Sequence, residues 1–299
     1  MEPRRLAAAF IAVIALSLVG ASPAAASFPG SNGKLLYSAN DQVGDYWIAT
    51  SPPPYTTSTT IASGSLEPDG AIWSADGRTI AFDTTDGAIW MMNANGGNQR
   101  QVIPPPQSGF LEVTGFSPNG SLVLYTKSVG RAIWEANSNG TGRHVVETPP
   151  TGAIDRDARF SPNGHLIVFD RTTCPGNACR AQIMRMTALG GSVVNLSSNG
   201  SDDSGPDWSP SGQKIVFQRF LNSGHFQVIT MNANGANQTN ISDDNKSDGA
   251  PTWSPNGNWI VYNQNISIYR MHTDGSNKTL LVQSGPGFEA DGPSIRPLP

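Results

Sequence analysis

One phrase recurs along the chain at nearly constant intervals, and this periodicity constrains the fold more than any other feature. Aligned on its glycine, the copies are NGKLLYS (Gly33), WSADGRTIAF (Gly77), FSPNGSLVLY (Gly120), FSPNGHLIVF (Gly164), WSPSGQKIVF (Gly212) and WSPNGNWIVY (Gly257). Successive glycines stand 44, 43, 44, 48 and 45 residues apart. That period belongs to propeller blades; leucine-rich, ankyrin and tetratricopeptide units are shorter. Six copies account for the chain from residue 27 to residue 299.

Each copy continues into a looser second phrase, IWMMNANGGNQR, IWEANSNGTGR, IMRMTALGGS, VITMNANGANQ or IYRMHTDGSNK, with YWIATSPPPY as the deviant first version. The pattern predicts four strands per unit: one ending at the aromatic residue, the apolar run after the glycine, the I-x-x-M strand, and a last strand such as HVVET or KTLLV. In S-P-N-G, proline presets φ at the second turn position, asparagine tolerates the third and glycine accepts positive φ, so the first strand folds back tightly into the second. N-A-N-G does the same between the third and fourth strands. Every part of both pieces has a turn role, which argues against a catalytic one. KIVF, HLIVF and WIVY are apolar at successive positions, as expected of strands covered on both faces by neighbouring blades. Trp73, Phe116, Phe160, Trp208 and Trp253 then read as wedges between blades. A ligand-binding aromatic cage is the sharper alternative, but occurrence once per blade favours packing.

The ends carry their own signals. Residues 1–26 hold Arg4 and Arg5, an apolar stretch from about Leu6 to Gly20 and Ala24-Ala25-Ala26, the pattern of a signal peptide cut before Ser27. The mature chain is therefore expected outside the cytoplasm, periplasmic or extracellular, with no membrane span. It keeps 17 basic and 22 acidic residues, a net charge of −5. Such a surface gives no electrostatic reason to bind nucleic acid or anionic lipid. The 32 glycines and 23 prolines, with only 14% charged residues, suit short strands and turns rather than helices. Cys174 and Cys179, in TTCPGNACRAQ, are the only cysteines, and in an exported chain a disulfide closing one loop is expected. A metal site would need further ligands.

Ring closure is also legible. The first copy lacks the D-x-x-P-x-W lead-in of SDGAPTWSPNG, whereas the final EADGPSIRPLP supplies one with no apolar run after it. The C-terminal tail should therefore form the innermost strand of the blade begun by the N-terminal part, leaving no open edge between first and last blades. WSPNG before an apolar strand, I-Y-x-M-N-x-x-G-x-N and D-x-x-P-x-W resemble the WD40-like repeats of the TolB C-terminal β-propeller, also found in propellers attached to tricorn-type and prolyl-oligopeptidase-type peptidases. The resemblance spans residues 27–299 and implies an all-β, six-bladed propeller of four-stranded antiparallel blades. TolB has an α/β domain before its propeller, and the peptidases have an α/β hydrolase domain; the repeats here leave no comparable length, and no G-x-S-x-G elbow occurs.

In such a disc the two turns of each blade fall on one face. The inter-blade loops and the loops between second and third strands fall on the other. Just ahead of the aromatic stand Asp69, Glu112, Asp155, Asp203, Asp248 and, in the tail, Asp291. Converging, they would form an acidic funnel for a cation or a basic peptide segment; otherwise each caps its own turn. The second-to-third strand loops contribute Arg131, Arg171, Arg219, Phe220 and His225 as contact candidates on a rigid scaffold. ISDDNKSDGAP spaces Asp243, Asn245 and Ser247 as a calcium loop does, but its glycine is one place late and no glutamate follows. The histidines, one to a blade, lack partners for metal or base chemistry. No catalytic residue, metal site or cofactor is expected, a divalent cation at the channel mouth being the one exception. These observations favour an exported, monomeric, non-catalytic module for a protein or peptide of the cell envelope or secreted fraction. The alternative is an enzyme acting on saccharides or peptides at the channel mouth.

Overall fold

The computed structural model describes residues 28–41, 44–175, 178–285 and 288–298. The predicted signal peptide lies outside the described residues. Blade 1 begins with β1 (Ser31–Asp41), β2 (Tyr46–Ser51) and β3 (Thr59–Ser63). Blade 2 comprises β4 (Pro68–Trp73), β5 (Thr79–Thr84), β6 (Ile89–Asn93) and β7 (Arg100–Ile103). Blade 3 comprises β8 (Leu111–Phe116), β9 (Leu122–Lys127), β10 (Ile133–Asn137) and β11 (His144–Glu147). Blade 4 has β12 (Ile154–Phe160), β13 (Leu166–Thr173), β14 (Arg180–Thr187) and a two-residue β15 (Val194–Asn195). Blade 5 has β16 (Asp202–Trp208), β17 (Lys214–Phe220), β18 (Phe226–Asn232) and a two-residue β19 (Thr239–Asn240). Blade 6 has β20 (Asp248–Trp253), β21 (Trp259–Gln264), β22 (Ser267–His272) and β23 (Thr279–Val282), and β24 (Phe288–Leu298) ends the chain. Each sheet is a four-stranded antiparallel meander, and β24 joins blade 1 in the order β24-β1-β2-β3. The fold is therefore the closed six-bladed propeller that the repeats predict. A single three-residue 3-10 turn, Gly64–Leu66, is the only helical element among the described residues.

The apolar core follows the same sixfold logic, because each blade hides its faces only against its neighbours. Six clusters of buried side chains occur, one at each junction. Trp208 sits with Val168, Ile183 and Leu196 of blade 4 and with Ile215 and Phe217 of its own blade. Trp73, Phe116, Phe160 and Trp253 occupy the corresponding places elsewhere, all nearly inaccessible to solvent. At the seam between blades 6 and 1 the closing strand supplies Ile295 instead. Arg296 pins that strand to blade 2: its Nε donates to the Gly77 carbonyl at 2.6 Å, and its guanidinium lies 5.6 Å from the Trp73 ring centre.

The serine of S-P-N-G has a role of its own. The Ser117 hydroxyl donates to Asn119 Oδ1 (2.8 Å) and accepts the Leu122 amide (3.0 Å), and the Gly120 amide donates to the Ser117 carbonyl (2.8 Å). Ser74, Ser161, Ser209 and Ser254 repeat this in the other blades. Gly33, aligned with the turn glycines in sequence, is different: it lies inside β1, because the first blade takes its inner strand from the tail and needs no turn there. The second turn joins neighbouring blades. Gly235 has φ +88°, and a Cβ on it would stand 2.5 Å from the Leu196 carbonyl of blade 4. Only glycine meets both demands. Gly96, Gly140, Gly190 and Gly275 approach Ile61, Val102, Val146 and Ile241 in the same way.

Candidate functional site

Each inner strand runs from an inter-blade loop to an S-P-N-G turn, so the acidic residues ahead of the aromatic lie near the loop-face end of the axis. They occupy two different register positions. Asp155, Asp203 and Asp248 stand opposite Arg171, Arg219 and Gln264. Asp69, Glu112 and Asp291 stand opposite Asp83, Thr126 and Ser38, one position further along. Adjacent positions on a strand point to opposite faces of the sheet. The six acids thus divide into two sets of three.

Each acid of the first set is bonded to the residue opposite it in its own blade, and Arg171 also reaches Glu147 of blade 3. Arg171 donates from Nε to Asp155 Oδ1 (2.6 Å) and from Nη2 to Asp155 Oδ2 (2.7 Å) and Glu147 Oε1 (2.8 Å). Arg219 repeats the fork on Asp203 (2.6 and 2.9 Å) and reaches Gln238 Oε1 (2.6 Å). In blade 6, Gln264 Nε2 donates to Asp248 Oδ1 at 3.0 Å. Burial raises the Asp155 carboxyl above its usual range even against Arg171, and the bond to Asp155 raises the Arg171 guanidinium in turn. Such two-pronged pairs fix geometry as well as charge. They brace the loop-face ends of blades 4 and 5.

The second set lies beside the bulges of the inner strands. Asp69 Oδ1 accepts the Gly70 amide (2.9 Å), and Asp291 Oδ1 accepts the Gly292 amide (2.7 Å). Thr126 donates to Glu112 Oε2 at 3.3 Å. Burial, then the Asp157 charge, push Glu112 up to about 7, against the pull of Arg156, Thr126 and Arg159. Asp83 and Asp170 are raised well above the carboxylate range, mainly by burial, with Asp69 and Glu112 adding to the first and Asp157 to the second.

Asp83 and Asp170 belong to a feature that the sequence reading missed. In four blades the polar residue closing the apolar run bolts its blade to the next inner strand. Asp83 Oδ1 accepts the Val113 amide (3.1 Å), Asp170 Oδ1 the Gly205 amide (3.3 Å) and Gln218 Oε1 the Ala250 amide (2.8 Å). Asn263 Nδ2 donates to the Ala290 carbonyl (3.1 Å) and Asp291 Oδ1 (2.6 Å) across the seam. The signal was present in IAFD, LIVFD, KIVFQ and WIVYN, whose last residue is polar where the strand is otherwise apolar.

The remaining candidates lie at the loop-face rim. β13 and β14 have 8 residues each and β17 and β18 have 7, against 5 or 6 for the corresponding strands of blades 2, 3 and 6. At about 3.3 Å per residue, one to three extra residues lengthen these strands by roughly 3–10 Å. At the tip of blade 5, Phe220 is 42% exposed and meets Phe226 edge-on, ring centres 5.1 Å apart. The His225 carbonyl accepts the Leu221 amide and closes that tip. At the tip of blade 4, Cys174 and Cys179 are joined in a disulfide. Arg131 is exposed on blade 3, and its carbonyl accepts the Asp155 amide at 3.1 Å. Phe110 and Val129, both more than half exposed, lie near it. Among the described residues no group of three or more His, Cys, Asp or Glu side chains is placed to hold a metal ion, and no helix is long and apolar enough to cross a membrane.

A family model described as the TolB beta propeller domain matches residues 72–294, about three quarters of the chain. The chain belongs to the TolB β-propeller domain family. Solved structures similar to it include TolB from Acinetobacter baumannii, with 21% identity, a TM-score of 0.71, and coverage of 89% of this chain and 67% of that one. The nidogen/laminin complex has a chain matched at 15% identity and a TM-score of 0.71, covering 88% and 98%. Oligogalacturonate lyase from Vibrio parahaemolyticus matches at 9% identity and a TM-score of 0.57, covering 88% and 79%. No curated protein sequence matches the chain. At these identities the structural likeness extends to the fold alone, which a chain of a nidogen/laminin complex shares with an oligogalacturonate lyase.

Proposed function

We propose that this TolB-family propeller is a non-catalytic binding module, exported as a monomer, that offers its loop face to a protein or peptide partner in the periplasm, cell envelope or extracellular space. One observation carries the reading: the loop face is raised and braced at blades 4 and 5, where the exposed Phe220, packed on Phe226, and a disulfide-closed loop stand on hairpins held by the Asp155–Arg171 and Asp203–Arg219 forks. Rigid exposed aromatic side chains are what binding anchors require. The same forks weigh against a catalytic pocket there, since the carboxylates and guanidinium groups are already bonded to each other. Phe220, His225 and Arg131 are the proposed contact residues, and the acid-rich axial mouth suits a basic segment of the partner.

The test uses the intact chain as bait on the secreted and envelope fractions, beside Phe220→Asp and a turn-face control, Asn163→Asp. A captured protein that falls about tenfold or more with Phe220→Asp and stays with the control supports the reading, tenfold being the scale of a modest anchor. Capture indifferent to Phe220 contradicts it. So does turnover of a saccharide or peptide panel that disappears when axial-mouth residues are changed.

A further inference from the structure

The turn face, scaffold in every other respect, carries the first described residue of the chain. Phe28 is only 3% exposed and belongs to the cluster at the junction of blades 2 and 3, with Ile72, Val113 and Phe116; Ala75 packs against the same cluster. Two residues later, the Gly30 amide donates to the Pro255 carbonyl in the S-P-N-G turn of blade 6 at 3.1 Å. Asn32 Oδ1 then accepts the Asn256 amide of that turn at 3.2 Å. Three residues of extended chain reach roughly 10 Å. A segment so short joins blade 6 to blades 2 and 3 by passing over the inner end of blade 1, against Leu298 of the closing strand.

The sequence makes room for this crossing. Blade 2 spells its turn S-A-D-G, with Ala75 where the other blades have Pro118, Pro162, Pro210 and Pro255. Gly30 lies against the Leu298 carbonyl of the closing strand, where a Cβ would collide. Pro29 restricts the backbone between the two contacts, so less freedom is lost in holding them.

We propose that Phe28-Pro29-Gly30 is a built-in peptide ligand of the turn face, a strap whose aromatic ring caps that end of the axial channel. The strap spans the seam at blade 1, where β24 and β1 close the ring, and links the blades on either side of it. The channel then communicates with solvent at the loop face. The site it fills takes an aromatic residue followed by Pro-Gly.

Two measurements on the full chain test this. With 4-fluorophenylalanine at position 28, the fluorine resonance should resist broadening by a soluble paramagnetic agent. In Phe28→Ala, exchange of the Gly77 and Gly120 turn amides should quicken about tenfold or more, as expected when a local cover is removed. Phe28→Leu should stay near the parent rate, and the Gly205 and Ala250 amides at the other end of the inner strands should not change. A fluorine signal broadened as readily as the free amino acid overturns the strap, whether or not Phe28→Ala folds. Unchanged turn-amide exchange in a folded Phe28→Ala overturns it equally.

Discussion

The two faces of the disc are built from the same six strand sets and differ in almost every other respect. On the turn face, five blades repeat one hydrogen-bonded serine turn, and their second-turn glycines touch the preceding blade at fixed places. On the loop face, hairpins differ in height, and the residues standing opposite the buried Asp155, Asp203 and Asp248 change from arginine to glutamine around the ring. Uniformity follows from the demand that blades stack; irregularity is tolerated where nothing stacks. The contrast separates residues that hold the ring together from those free to meet a partner, and a graded set of substitutions can break it.

The largest loss is expected at the inter-blade wedges. Trp208→Ala should cost about 3–5 kcal/mol in urea unfolding, since a large buried aromatic leaves a cavity shared by two blades. Next comes Gly235→Ala, where a strained φ adds to a clash with the Leu196 carbonyl. A loss of about 2–4 kcal/mol is expected there, visible as a lower thermal midpoint. A loss well under 1 kcal/mol at either site would mean that blade stacking depends on something else.

On the loop face, Arg171→Ala should cost about 2 kcal/mol, because it leaves Asp155 and Glu147 without their shared donor. Following it with Asp155→Asn should recover part of the loss, and a double-mutant cycle measures the coupling. The axial acids give a pH signature. Glu112 is raised in the folded state, so the folded chain holds a proton that the unfolded chain releases from about pH 4.5 upward. Its contribution is complete below that pH and fades as pH rises through about 7, with a slope of at most roughly 1.4 kcal/mol per unit for one group. Thermal midpoints should therefore fall across this window, and Glu112→Gln should flatten the fall. Smallest of all, Phe220→Ser should change stability by no more than about 0.5 kcal/mol, as for an exposed side chain, while weakening partner capture.

What the sequence made legible follows the same division. Blade number, turn geometry, wedges and closure could be read because each rests on a few adjacent residues whose chemistry is local: proline for φ, glycine for positive φ, an aromatic at a strand end. The placement of the acids could not be read so directly. Asp155 precedes Phe160 by five residues and Asp69 precedes Trp73 by four, and that one-residue difference puts them on opposite faces of their sheets. The inner-strand bulges displace the register in just this stretch, and only paired strands reveal the outcome. The inter-blade bolts of Asp83 and Gln218 escaped for a similar reason, since their partners are amides about 30 residues away.

The division of labour between the faces is tested most directly by backbone hydrogen exchange of the chain with and without its captured partner. Protection confined to the tips around residues 173–180 and 220–226 and to the adjoining inter-blade loops is the predicted result. Protection centred on the Ser117–Gly120, Ser161–Gly164 and Ser254–Gly257 turns, with the loop tips unchanged, would contradict it.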